Sequence, residues 1–85
     1  MDSRQIDELG RRVIAERLDV DISDVVDEAS FIEDFDADLV ELQDIVLYFE
    51  CETGIQITDR ELDSIKTVGD FMRIAKNKDD AKQDS

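Results

Sequence analysis

The chain has 85 residues, enough for one small domain, since domains typically run to about 100–150 residues. Its 10 Lys and Arg against 24 Asp and Glu leave a formal net charge of −14, with no histidine. Nucleic acid and anionic membrane are recognised through clustered Lys and Arg, so this balance excludes both as partners. Hydrophobic residues still make up 41%, more than an acidic disordered tail carries, and a modest core is expected. The single cysteine, Cys51, has no partner for an internal disulfide and belongs to no metal-ligand pattern. The longest apolar run, residues 45–49, is far too short to cross a bilayer. The first residues show no basic region followed by a hydrophobic stretch. A soluble cytoplasmic domain without membrane insertion, most simply a monomer, is the expectation.

All ten basic residues lie at Arg17 or earlier, or at Arg60 or later, while residues 18–59 hold 14 acidic side chains. In that crowded middle the carboxyl pKa values are expected to be raised, so that stability increases as pH falls. There is no proline and only three glycines, so helix meets few interruptions. The first helix carries Ile6, Leu9, Val13 and Leu18 on one face, with Asp2 or Ser3 as its cap and its end near Arg17–Asp21. A loop of about twenty residues follows; its Val20, Ile22, Val25, Phe31, Ile32 and Phe35 are predicted to lie over the core.

Asp38 and Glu41 have the spacing of a capping box that opens a second helix. Leu42, Ile45, Val46 and Phe49 form its apolar stripe, and Gly54 stops it. Thr58 and Glu61 make another capping box for a short third helix. The fourth starts at Thr67 and carries Val68, Phe71, Met72 and Ala75 at i, i+3, i+4 and i+7. The expected fold class is therefore all-α, a four-helix bundle with a long packed first loop and a short third helix. It should occupy residues 1–76, with residues 77–85 a polar, disordered tail.

Asp34, Asp36 and Asp38 have the 1, 3, 5 spacing of a calcium loop, but Leu39 takes the place of the turn glycine and Ile45 that of the bidentate glutamate. They are weak candidates for loose divalent-ion binding; no specific metal site is expected. Catalysis has no support: there is no nucleophile beside a base and no glycine-rich phosphate loop. Cys51, between Glu50 and Glu52, is disfavoured as a thiolate. Along the second helix Asp38, Glu41, Asp44 and Glu50 meet no lysine or arginine at helical spacing. An acidic stripe left without internal partners is suited to attracting a basic protein surface.

The stretch Ala29–Asp38 followed by an acidic helix resembles the approach to the second helix of acyl carrier proteins. Gly54–Asp59 and Ile65–Phe71 resemble that family's third-helix and fourth-helix starts, and the likeness runs without gaps from about Ile6 to about Ile74. The resemblance implies a carrier of acyl thioesters on 4′-phosphopantetheine, attached to the serine of an Asp-Ser-Leu motif. Asp38 matches the aspartate and Val40 replaces the leucine, but the serine position is Leu39, and no serine or threonine occurs between Ser30 and Thr53. Asp36 stands where the family usually has a turn glycine.

The resemblance further implies that Asp38, Glu41, Asp44 and Glu50, with Leu47 as the apolar contact, meet basic surfaces on synthases, acyltransferases and the phosphopantetheinyl transferase. One usual acidic position is taken by Cys51. The expected function is thus a non-carrying homologue in fatty-acid, lipid or polyketide biosynthesis, with no cofactor on the sequence as it stands and 4′-phosphopantetheine only if the parent protein has serine at position 39. Two alternatives stay open: a true carrier whose serine has been substituted by Leu39, or a small acidic helical protein that binds a ligand or ions. None of the three is an enzyme.

Overall fold

A computed structural model describes the backbone of residues 2–83 and the side chains of residues 2–79. Four helices, α1 (Ser3–Leu18), α2 (Leu39–Thr53), α3 (Asp59–Asp63) and α4 (Val68–Gln83), are joined by one long and two short connections. No strand is formed among the described residues; one antiparallel bridge pairs Ser30 with Thr67. The helix starts follow from side chains that satisfy otherwise orphaned amides. Asp2 Oδ1 accepts from the Gln5 amide at 2.9 Å while Gln5 reaches back to the Asp2 amide. Thr58 and Glu61 do the same for α3, at 3.2 and 2.9 Å. The Asp38–Glu41 pair opens α2. Asp19 (φ 55°) and Gly54 (φ 76°) close α1 and α2 in the left-handed conformation that ends helices.

Helix α1 packs against both α2 and α4. Ile6, Val13 and Ile14 of α1, Ile45 and Phe49 of α2, and Val68, Phe71 and Ala75 of α4 are fully buried between them. Phe49 and Phe71 meet edge to face, 5.1 Å between centroids, and tie α2 to α4 at the centre. The α1–α4 approach is close at Gly10: a Cβ there would sit 2.3 Å from Met72 Cε, the end of a flexible side chain that would have to shift, and 3.6 Å from Phe49 Cε1.

The first connection contains a single turn of 3₁₀ helix, Ile22–Asp24, capped by Asp21. Val25, Ala29, Phe31 and Ala37 are buried, and Val20 and Phe35 are partly so. Ile22 and Ile32, expected over the core, instead face outward, 53% and 71% exposed. The cause is local: the turn after Ser30 points Phe31 inward against Phe35, which sends its neighbour Ile32 to the other side. Arg11 holds the connection onto α1, donating to the Val25 carbonyl at 2.7 Å, to Asp7 at 2.9 Å and to Asp27. The tail expected from Asn77 is helical backbone as far as Gln83, and Asp79 is buried and partnered; residues 84–85 lie outside the described part.

The carboxyls with clear displacements all lie outside residues 18–59, and all are lowered. Hydrogen bonding to Arg11 lowers Asp7, and Asp7 in return raises Arg11. The Thr58 amide and then Lys78, 2.9 Å away, lower Glu61. Burial pushes Asp70 up, but the amides of Lys66 and Thr67 outweigh it and leave its pKa lowered.

Candidate functional site: the outward face of the second helix

The sequence places Asp38 immediately before α2, and its extended backbone (φ −87°, ψ −178°) aims the carboxylate at the helix start. Its Oδ1 accepts from the Glu41 amide at 2.9 Å, and Glu41 Oε1 accepts from the Asp38 amide at 3.5 Å. Each carboxylate thus keeps an oxygen for solvent or a partner. The preceding Asp36 is left-handed (φ 53°), a conformation that Asp tolerates better than most residues and glycine better still.

Leu42, Ile45, Val46 and Phe49 take the inward stripe of α2. The outward face is mixed. Leu39 is 54% exposed, Val40 71% and Leu47 60%, with Tyr48 exposed beside them and Glu41 and Asp44 between. Val40 and Leu47 are seven residues apart and share one side of the helix, with Asp44 between them. Exposed aliphatic groups gathered beside carboxylates form a surface suited to another protein more than to water alone.

The predicted acidic residues are not equivalent. Asp38 and Glu41 are exposed and face no cation of their own among the described residues. Asp44 is exposed but paired: Arg17, from the last turn of α1, donates to its Oδ2 through Nε at 2.8 Å and Nη2 at 2.6 Å. Glu50 is half-buried and accepts from the Ile57 amide at 2.7 Å, fixing the α2–α3 connection. Arg17 was invisible to an inspection of helical spacing because it comes from another helix; its position at a helix end was the only signal. Cys51 is exposed.

Asp34, Asp36 and Asp38 do not converge. Asp34 Oδ2 accepts from the Ser30 amide at 2.6 Å, and Asp38 Oδ1 is turned to the start of α2 as its cap. Among the described residues no group of three possible ligands is placed to hold a metal ion. Between the first connection, α2 and α3 lies a cavity of about 210 Å³, lined by Phe31, Leu39, Leu42, Leu62 and Ile65, with Asp38, Asp63 and Lys66 as its polar lining.

The family described as "Phosphopantetheine attachment site" matches residues 11–74. The chain belongs to the acyl carrier protein family. The acyl carrier protein of Thermotoga maritima is 41% identical over 68 residues, covering 80% of this chain and 84% of the relative. That of Thermosynechococcus vestitus is 37% identical over 78 residues, covering 92% and 96%. The fold is that of the solved acyl carrier protein from Enterococcus faecalis, at a TM-score of 0.78 and 24% identity over 92% of this chain and 99% of that one. Acyl carrier proteins are carriers and not catalysts, and they work by interacting with biosynthetic enzymes. No helix among the described residues is long and apolar enough to cross a membrane.

Phosphopantetheine is the family's cofactor. The exposed Leu39 side chain has no oxygen from which a phosphodiester can form. The flanking hydroxyls are otherwise engaged: Ser30 Oγ accepts from the Glu33 amide at 3.1 Å, and Thr53 Oγ1 donates to the Phe49 carbonyl at 2.8 Å.

Proposed function

We propose that this chain is a non-carrying member of the acyl carrier protein family, acting in the cytoplasm in fatty-acid, lipid or polyketide biosynthesis by docking on carrier-dependent enzymes. The observation that carries the reading is Leu39: it is the first residue of α2, directly after the Asp38 cap, half exposed and without a hydroxyl. In the resemblance of Asp38-Leu39-Val40 to the family's Asp-Ser-Leu motif, it stands at the attachment serine. Leucine is a better helix former than serine, so the change removes the chemistry and leaves the helix start intact.

The docking half of the proposal draws support from the carboxylates of Asp38 and Glu41 beside exposed Leu39, Val40 and Leu47. Basic surfaces of synthases, acyltransferases and the phosphopantetheinyl transferase complement such a face, with charge steering encounter and apolar contact holding it. Asp44 and Glu50 are the weaker members, since each already has an internal partner.

Intact mass after incubation with a phosphopantetheinyl transferase and coenzyme A tests the reading. The unaltered chain is expected to gain no mass, and Leu39→Ser to gain one phosphopantetheine. A mass gain on the unaltered chain, at any residue, overturns the non-carrying assignment.

A further inference from the structure

Helix α2 brings no cation of its own, yet one reaches it from outside. Arg17 places two nitrogens on a single oxygen of Asp44, at 2.6 and 2.8 Å. The carbon of the same guanidinium lies 5.4 Å from the centroid of the Tyr48 ring, one turn further along. Among the described residues Asp44 is the one carboxylate of α2 held in an ion pair. The aromatic ring adds a second attraction that keeps the guanidinium over this part of the helix. The outward face of α2 is therefore divided: its first turn offers free negative charge, and its middle carries a carboxylate already answered from within the molecule.

We propose that Arg17 is a specificity-determining residue of the docking face: it occupies Asp44 and confines recognition of a basic partner to Asp38 and Glu41. This rests on the docking reading above and sharpens it. Asp38 and Glu41 are three residues apart, about 4.5 Å along the axis, so the matching partner carries a compact pair of cations. An extended basic strip would have to displace Arg17 before its far end could engage Asp44. A surface pair of this kind is weak on its own, but the two nitrogens on one oxygen and the ring beneath them keep a competitor within the molecule at the site.

Arg12 supplies the control. It lies five residues before Arg17, about 140° around α1, is exposed, and joins no ion pair among the described residues. The probe is a phosphopantetheinyl transferase without coenzyme A, titrated against the full chain at about 0.15 M ionic strength, where the Debye length of about 8 Å leaves chiefly local effects. Arg17→Gln is expected to tighten binding about fivefold and Arg12→Gln less than about twofold, although both change the charge equally. In an Asp44→Asn background the gain from Arg17→Gln should fall below about twofold, and Arg17→Lys, which keeps the charge but loses the guanidinium's second nitrogen and planar ring contact, should bind between the unaltered chain and Arg17→Gln. Far-UV circular dichroism checks that each variant is folded. Equal gains from Arg17→Gln and Arg12→Gln, or a gain that persists without Asp44, overturn the role of Arg17. Glu41→Gln separates the two readings. Weakened binding there keeps the docking reading standing whatever Arg17 does, and unchanged binding removes that reading and this one together.

Discussion

The two faces of α2 are built from one run of fifteen residues and do opposite things. The inner face is wholly apolar and buried, with Ile45 and Phe49 completely shielded. The outer face is as rich in aliphatic side chains but leaves them in water, at Val40 and Leu47, and mixes them with acid. Apolarity alone therefore does not place a residue in this helix; its neighbours at i±3 and i±4 do. The lesson is that core packing and surface character are separable here, one to each side. Substitutions on the inner face should move stability and leave docking of the folded fraction alone, and those on the outer face mainly the reverse.

The strongest way to break that separation is Phe49→Ala, which removes the ring that meets Phe71. It should cost about 3–5 kcal/mol in urea unfolding. Gly10→Ala should change stability by about 1 kcal/mol or less, because the helix preference for alanine offsets the shift it forces on the flexible end of Met72. The double variant with Met72→Ala should be less than additive, which a double-mutant cycle reads directly.

On the outer face, Glu41→Lys with Asp44→Lys should slow association with a phosphopantetheinyl transferase about tenfold at low salt, and less as the Debye length shrinks. Stability should also fall, by about 1 kcal/mol, since Glu41 closes the capping box of α2 and Asp44 holds Arg17. The same charge change at Glu8 and Glu16, exposed on α1, should matter far less to the rate measured by surface plasmon resonance. Equal losses from both pairs would mean that net charge alone acts. Asp38→Ala sharpens the comparison, since Asp38 serves both sides: losing the cap should cost about 1 kcal/mol in urea unfolding and also slow docking.

The smallest effects concern pH and ions. Asp7, Glu61 and Asp70 have lowered pKa values in the folded state. Carboxyls lowered in this way stabilise the fold above their unfolded pKa of about 4, and that contribution is lost as pH falls through the folded values. Melting temperature should therefore drop below about pH 4, opposite to the rise expected from crowding alone. Millimolar magnesium or calcium should raise it slightly and about equally, because among the described residues no three ligands converge.

Much of this was legible in the sequence, and for a physical reason. Caps are local: Asp38 with Glu41, and Thr58 with Glu61, are read from residues three apart, and the structure forms both pairs. The inner stripe of α2 is likewise a matter of spacing. What escaped was tertiary. Arg17 on Asp44 and Arg11 on the Val25 carbonyl join segments far apart in the chain, and no periodicity announces them. Gly10 reads as an ordinary weak point in a helix until Met72 is seen against it. The polar stretch from Asn77 has little to bury, yet α4 continues through it and buries Asp79. At the site, the identity of Leu39 after the Asp38 cap could be read from the chain; the internal engagement of Asp44 and Glu50 could not.

The bridge between Ser30 and Thr67 has a consequence for how the molecule comes into being. Two backbone bonds fasten the first connection to the start of α4, from the Phe31 amide to the Lys66 carbonyl and from the Val68 amide to the Ala29 carbonyl, each 3.0 Å. The turn that delivers Asp38 and Leu39 to their places is thus clamped by residues made late in synthesis. A nascent chain released only as far as α2 holds the acidic sequence but lacks the clamp that sets its approach. Pairing across so long a loop carries a closure cost that nearer contacts do not. The approach to α2 is thus coupled to the start of α4, so that fraying α4 at Val68 also loosens the turn before Asp38.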